Sequence, residues 1–376
     1  MKLKLILSPS LPIPIQRNGK AKSMNEQKIK IGITIGDING IGPEIIIKTL
    51  QKNALNRYFN LVIYGSTNCL NYYKQVLKIV DFNYIQLNAV KNADLRHINV
   101  INCWNNELQI TIGKPSEAGA KAALAALERA SIDLLNGQID ALVTAPVNKG
   151  NLAGLQPEFV GQTEFLTKAA NTKESLMILA SDELKVGLVT NHLPVSEISK
   201  NFTKKKLNRK IELFIDSLER DFLINKPRIA VLALNPHAGD EGKIGMEEKT
   251  IINPVIEAQS QEHLIYGPYP ADGFFGNQKV HHFDGILAMY HDQGLAPFKA
   301  LSFGEGVNIT AGLPFVRTSP DHGTAYDIAG QNIASVDSFR KALFLAYDIV
   351  KNRQQYSEMT KNPLKFATKK KANNES

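Results

Sequence analysis

Three histidines recur in one context. His192, His237 and His291 each follow a short apolar run, at Val186–Thr190, Arg228–Leu234 and Gly285–Tyr290. They lie too far apart for a local metal motif, and any one of them alone reads first as a hydrogen-bonded loop histidine. Together, three imidazoles around one divalent cation would leave coordination positions open for substrate oxygens. Asp272 and Asp292 could orient such ligands or hold water bound to the cation. Imidazole suits zinc, cobalt and other divalent ions, so the donor set alone does not select the metal. His281 and His282 sit in an expected surface turn and receive no role.

A second group is cationic. Lys299, Asn308 and Arg317 bracket an apolar, Gly-rich stretch, Phe303–Pro314. Either cation alone reads as solvated surface. Such a stretch suits a packed interior edge, where an unpaired cation is costly and an anionic ligand would supply the partner. Arg offers a planar fork and Lys a point charge, a pairing suited to phosphate. Two further runs are informative. Gly36-Asp37-Ile38-Asn39-Gly40-Ile41-Gly42-Pro43-Glu44 follows a strand and opens a helix, but is neither a dinucleotide fingerprint nor a Walker loop. A structural turn and an anion site stay equally open there. His322–Gly330 reads as a turn leading into a short helix.

The elements that must carry these residues alternate. Strands are expected at Ile31–Ile35, Asn60–Tyr64, Val100–Cys103, Leu108–Ile112, Ala141–Thr144, Met177–Ala180, Val186–Thr190, Arg228–Leu234 and Gly285–Tyr290. Helices are expected at Pro43–Gln51, near Tyr72–Val80, Ser116–Leu135 (with Ser116 as N-cap and Gly119 a slight weakness), Lys204–Leu223, Glu247–Gln259 and Ser338–Lys351. Alternation of this kind predicts an α/β fold with a mostly parallel sheet flanked by helices. Polar residues stand where several strands end: Gly36-Asp37, Thr144 to Lys149, Thr190-Asn191-His192, Asn235-Pro236-His237 and Tyr290 to Gln293. In open α/β sheets ligands bind beyond the carboxyl ends of strands, so these loops point to one shared site.

The 376 residues exceed one typical domain, and 43% hydrophobic with 21% charged residues is ordinary globular composition. No apolar run approaches the ~20 residues that span a bilayer, which argues against membrane spanning. The net charge of +8 is confined to the ends: residues 1–30 carry +6 and 361–376 carry +4, leaving −2 on 31–360. A nucleic-acid binder would show its basic stripe on the folded body, so that class is disfavoured. Cys69 and Cys103 form no disulfide or zinc-finger spacing and read as reduced thiols in a cytoplasmic protein. The first 23 residues imitate a signal peptide, but Pro9, Pro12 and Pro14 break the apolar segment; a disordered basic tail over 1–29 is the expectation, with a second over 356–376.

From about Lys30 to Asn352 the chain resembles the 4-hydroxythreonine-4-phosphate dehydrogenase family of pyridoxal-phosphate biosynthesis. The resemblance rests on Gly40-Ile41-Gly42-Pro43-Glu44, Thr144-Ala145-Pro146-Val147-Asn148-Lys149, Leu234-Asn235-Pro236-His237-Ala238-Gly239, Met289-Tyr290-His291-Asp292-Gln293-Gly294 and Gly306-Val307-Asn308-Ile309-Thr310. The run His322–Gly330 is similar to the cofactor loop of isocitrate and isopropylmalate dehydrogenases. The resemblance implies a two-domain subunit of that wider fold, with a first α/β domain from 30–150 plus 300–355, a second from 151–299, and the active site in the cleft between them. It implies a homodimer with the site near the interface, using NAD or NADP and one divalent cation (zinc, magnesium or cobalt). It implies metal ligation by His192, His237 and His291, one of them from the partner subunit, and substrate binding by Gln162, Thr163, Lys299, Asn308 and Arg317. The cofactor loop would supply His322, Gly323, Thr324, Ala325 and Asp327. Asp272, Asp292 and Lys149 are the candidate proton acceptors. The implied reaction is oxidation of 4-phosphohydroxy-L-threonine followed by loss of carbon dioxide. The family carries His where this chain has Gln162, which either preserves the contact or marks a related substrate such as a four-carbon sugar-acid phosphate. A phosphate acetyltransferase or a non-catalytic metabolite binder are the readings from other classes.

Overall fold

The computed structural model describes residues 28–94, 96–105 and 108–362; most of both expected tails lies outside these. Its strands are β1 (Lys30–Thr34), β2 (Asn60–Gly65), β3 (Tyr84–Leu87), β4 (Ile98–Asn102), β5 (Ala141–Thr144), β6 (Leu176–Ala180), β7 (Lys185–Leu188), β8 (Ile229–Leu232), β9 (Ile265–Tyr269), β10 (Gly285–Ala288), β11 (Val307–Ala311) and β12 (Val316–Pro320). The helices are α1 (Gly42–Leu50), α2 (Thr67–Leu77), α3 (Glu117–Leu135), α4 (Lys149–Leu155), α5 (Gln162–Ala169), α6 (Lys204–Arg220), α7 (Asn253–Gln259), α8 (Ala271–Gly276), α9 (His291–Ser302) and α10 (Asp337–Thr360).

All twelve strands join one sheet in the order β3-β4-β2-β1-β5-β12-β11-β6-β7-β10-β8-β9. The strands from β3 to β12 are mutually parallel, as are those from β7 to β9. Between the blocks, the pairs β12–β11, β11–β6 and β6–β7 are all antiparallel. Three reversals in a row make the two parallel blocks run in opposite senses. Central strands such as β2 and β5 are buried along their whole length. Helices cover both faces there, which is why these strands read as continuous apolar runs instead of alternating ones.

Several local choices can be traced to single residues. Ser116 caps α3, its Oγ accepting from the Gly119 N–H at 3.1 Å, a contact worth about 1 kcal/mol. Gly119 is required by close approach: a Cβ there would stand 2.4 Å from Asp37 Oδ1. The expected strand at Leu108–Ile112 is absent. Its backbone is used by Asn39 instead, whose Oδ1 accepts from the Thr111 N–H at 2.7 Å and whose carbonyl accepts from the Gly113 N–H at 2.8 Å. The expected C-terminal tail starts later than residue 356, because α10 continues to Thr360. At the other end Ile29 is buried and the Lys28 ammonium donates to the Asn56 carbonyl at 2.8 Å, so order begins inside the expected N-terminal tail. Both cysteines are free thiols, and among the described residues no helix is long and apolar enough to cross a membrane.

Candidate active site

The glycine-rich opening of α1 is a turn. The Asp37 N–H donates to the Pro146 carbonyl, Gly40 N–H to the Asp37 carbonyl, Ile41 N–H to the Thr324 carbonyl and Asn39 N–H to Asp37 Oδ1, so these four donors of the loop are engaged inside the protein. A Cβ on Gly40 would lie 2.7 Å from the Thr324 oxygen, which is why glycine stands there. The run 322–330 is thereby fastened to the start of the chain. Tyr326 donates to Asp37 Oδ2 at 2.7 Å, and the Gly330 and Ala334 N–H groups donate to the buried Glu44 carboxylate at 2.9 and 3.1 Å. Burial raises the pKa of Asp37, against the lowering effect of its bonds from Tyr326 and the Asn39 N–H.

Beside this loop lies a cavity of about 190 Å³ walled by the ends of β5 and β12, the start of α5 and the segment after β7. It gathers Lys149, Gln162, Thr163, His192, Asn308, Arg317, His322 and Gly323 from the expected site residues. Thr144, Glu164 and Met177 also line it. Arg317 is 3% exposed and makes no ion pair among the described residues. Its Nε and Nη2 donate to Thr144 Oγ1 at 3.2 and 2.7 Å, Nη2 also to Gln162 Oε1 at 2.9 Å, and Nη1 to Thr163 and Thr310 hydroxyls at 3.3 and 3.1 Å. All its partners are neutral. Burial pushes the guanidinium pKa down to about 10, partly offset by the field of Glu164.

Lys149 stands 3.0 Å from His192 Nε2. Burial holds its ammonium pKa below the usual lysine value, opposed by Glu164 and aided by Arg317. Glu164 lies 3.7 Å from His192 Nδ1. That imidazole keeps the carboxyl pKa low against the effect of burial. Three polar atoms in or at the cavity are buried without a partner among the described residues: Glu164 Oε2, Asn308 Oδ1 and His322 Nε2. Lys299 lies outside the cavity lining, donating to the Asp321 carbonyl at 3.2 Å and pairing with the Asp321 carboxylate at 3.4 Å.

The histidines separate into two places. The His192 and His291 rings lie 5.9 Å apart, and His291 Nδ1 is held by Asp292 Oδ1 at 2.6 Å. His237 is exposed and does not join them: among the described residues no group of three or more His, Cys, Asp or Glu is spaced to hold a metal. It belongs to a left-handed turn in which φ is 51° at His237, 53° at Ala238, 80° at Gly239, 42° at Asp240 and 53° at Glu241. Each non-glycine residue there costs about 1 kcal/mol or more. Buried Glu248 fastens its base, accepting from the Leu234 and Asn235 N–H groups at 2.8 Å each and from Asn235 Nδ2 at 2.9 Å. Asp272 is exposed on α8 and outside the cavity lining, and Ala325 and Asp327 are also outside it.

Sequence reasoning gave no role to Thr144, Glu164, Thr310, Asp37, Tyr326 or Glu248. Thr144 and Glu164 lie inside runs already conspicuous for polar residues at strand and helix ends. Glu248 left no signal, because a buried acid within a helix of ordinary composition looks like a surface one.

Comparison with known proteins fixes the class first. A crystal structure of 4-hydroxythreonine-4-phosphate dehydrogenase from Klebsiella pneumoniae superposes with a TM-score of 0.75 at 34% identity, covering 87% of this chain and 99% of that one. The chain is therefore an α/β oxidoreductase in fold and family. A relative from Bacteroides thetaiotaomicron called 4-hydroxythreonine-4-phosphate dehydrogenase is 48% identical over 91% of this chain and 94% of its own length. One of the same name from Aquifex aeolicus is 43% identical over 85% of this chain and 98% of its own. A profile of the family described as pyridoxal phosphate biosynthetic protein PdxA matches residues 57–346, and the chain belongs to that family.

Proposed function

We propose that this chain oxidises 4-phosphohydroxy-L-threonine with NAD to 2-amino-3-oxo-4-phosphooxybutanoate, which loses carbon dioxide to give 3-amino-2-oxopropyl phosphate on the route to pyridoxine 5'-phosphate. The observation that carries this reading is Arg317, a buried guanidinium lining a cavity with only neutral partners. Its hydrogen-bond partners are neutral and the Glu164 carboxylate on the same wall offsets its burial only in part, so a phosphate monoester would supply the close partner that a buried cation calls for. Thr163 and Asn308 line the same cavity as hydrogen-bonding groups, and Lys299, paired with Asp321 outside the lining, is the second cation we assign to the phosphate.

Hydroxyl oxidation releases a hydride from carbon and a proton from oxygen. Lys149 is our proton acceptor, at Nζ, because it lines the cavity and partial desolvation, on a side chain that remains exposed, lowers its ammonium pKa. Asp272 and Asp292 are exposed, the latter engaged with His291. Asp292 fixes the His291 ring, as an orienting carboxylate does for a metal ligand.

The donor set fits a divalent cation in part. His192 and His291 are neighbouring imidazoles, and we assign the third position to His237 of a second copy of the chain. When bound, zinc, magnesium or cobalt would acidify the substrate hydroxyl and draw charge from the ketone. The unpartnered His322 Nε2, in the loop held against Asp37 and Glu44, fits a nicotinamide cofactor on that side, with Gly323, Thr324, Ala325 and Asp327 alongside. Bound there, NAD or NADP would supply the hydride acceptor. We read the two parallel blocks of the sheet as the two domains, 30–150 plus 300–355 and 151–299, in a cytoplasmic homodimer.

The test is absorbance of reduced nicotinamide with purified protein, a divalent metal and either nicotinamide, across a panel of four-carbon phosphorylated hydroxy acids that includes erythronate 4-phosphate. Signal with 4-phosphohydroxy-L-threonine is expected. No signal with any member rejects the reading.

A further inference from the structure

Gln162 occupies an unusual position for a residue expected to touch substrate. It is 9% exposed, and its carboxamide is already engaged. Oε1 accepts from Thr144 Oγ1 at 2.9 Å and from Arg317 Nη2 at 2.9 Å, which fills both lone pairs. Nε2 donates to the Ala145 carbonyl at 3.1 Å, which fixes the amide's orientation. Thr144 in turn accepts two Arg317 N–H bonds and gives its only proton to Gln162, so the three side chains close a ring.

We infer that Gln162 is a positioning residue that satisfies Arg317 without neutralising it, so that the guanidinium, offset in part by Glu164 on the same wall, still presents positive charge to the cavity. The chemistry selects the residue type. Glutamate would accept the same bonds but form a buried ion pair and cancel the charge that attracts an anion. Methionine would fill the space and strand one guanidinium N–H and the Thr144 proton. Neutral histidine could accept the Arg317 bond as the carboxamide does. Gln162 therefore acts on phosphate through Arg317, and its identity sets how strongly the site prefers a dianionic tetrahedral group. The inference rests on the phosphate reading of the cavity given above.

The experiment measures sulfate binding by calorimetry at pH 8 on the intact chain, sulfate being a tetrahedral dianion that does not titrate there. Wild type, Gln162→Glu, Gln162→His and Gln162→Met are compared, with thermal unfolding of each. Gln162→Glu should bind sulfate at least about tenfold more weakly while melting no lower than Gln162→Met, since it loses the bond to the Ala145 carbonyl but keeps those from Thr144 and Arg317, whereas Gln162→His should stay close to wild type. KM for the phosphorylated substrate should rise most in Gln162→Glu and least in Gln162→His, with kcat much less changed. A merely structural residue would lower stability and binding together. If Gln162→Glu does not fold, Gln162→Met decides, because it is neutral but accepts no bond and should lose affinity that Gln162→His keeps. Wild-type sulfate affinity in Gln162→Glu, or equal losses in the histidine and glutamate variants, overturns the inference alone. No binding of sulfate or phosphate by wild type overturns the phosphate reading and this inference with it.

Discussion

Arg317 and His237 are both expected ligands for parts of one substrate complex, yet they are held in opposite ways. Arg317 projects from β12, is 3% exposed, and has its N–H groups satisfied by Thr144, Gln162, Thr163 and Thr310 of its own chain. His237 is exposed on a left-handed turn whose stability is borrowed from Glu248. On our reading the phosphate half is thus formed by side chains of one chain on β5, β11, β12 and the start of α5, whereas the imidazole half draws on the loops that hold His192 and His237 and on the first turn of α9, which holds His291. Burial and fixed dipoles suit a phosphate cradle, and on our reading the cation site takes its third donor from a second copy of the chain.

That contrast can be broken or sharpened by substitution. The largest effect is expected from His192→Ala or His237→Ala. Turnover should fall at least about a thousandfold, since a cation holding the reacting oxygen supplies several kcal/mol. Melting temperature should barely move, because exposed loop imidazoles contribute little to the core. A parallel loss of stability would erase the distinction between the halves. On the other side, Arg317→Lys should raise KM for the phosphorylated substrate about tenfold or more, since lysine lacks the planar fork. Steady-state kinetics measure this, and an unchanged KM removes Arg317 from the site. Here stability should fall too, by about 1–3 kcal/mol, because buried hydroxyls and the Gln162 oxygen lose their donors. The smallest effect is expected from Glu248→Gln, which puts an amide donor beside Asn235 and loosens the His237 turn. Metal affinity, read from a cobalt titration of the dimer, should weaken about tenfold.

How much of this was legible in the sequence follows from the range of each signal. Periodicity is local, so β1, β2, β5 and the Ser116-capped α3 were readable from their own residues. β3 was not, because an edge strand with half-exposed side chains lacks the apolar run that marks a central one. Leu108–Ile112 has strand composition, but a single distant side chain, Asn39, claims its backbone. Of the three antiparallel pairings between the blocks, β11 with β12 and β6 with β7 are local, but the one that joins the blocks, β6 with β11, depends on contacts between segments more than a hundred residues apart. In the site, the motif positions Lys149, His192, Asn308 and Arg317 were conspicuous. The role of Gln162 was not, since nothing in Gly161-Gln162-Thr163-Glu164 shows that its oxygen is already spent on Arg317.

The central claim is that one chain completes the phosphate cradle while two chains complete the cation site. Subunit complementation tests it most directly. His192→Ala and His237→Ala dimers, each inactive, are mixed, dissociated and reassociated. A hybrid then has one intact site, with His192 and His291 from one chain and His237 from the other, so random assortment predicts recovery of about a quarter of wild-type activity. Hybrids that form, as shown by mass, yet remain as inactive as their parents would contradict the account.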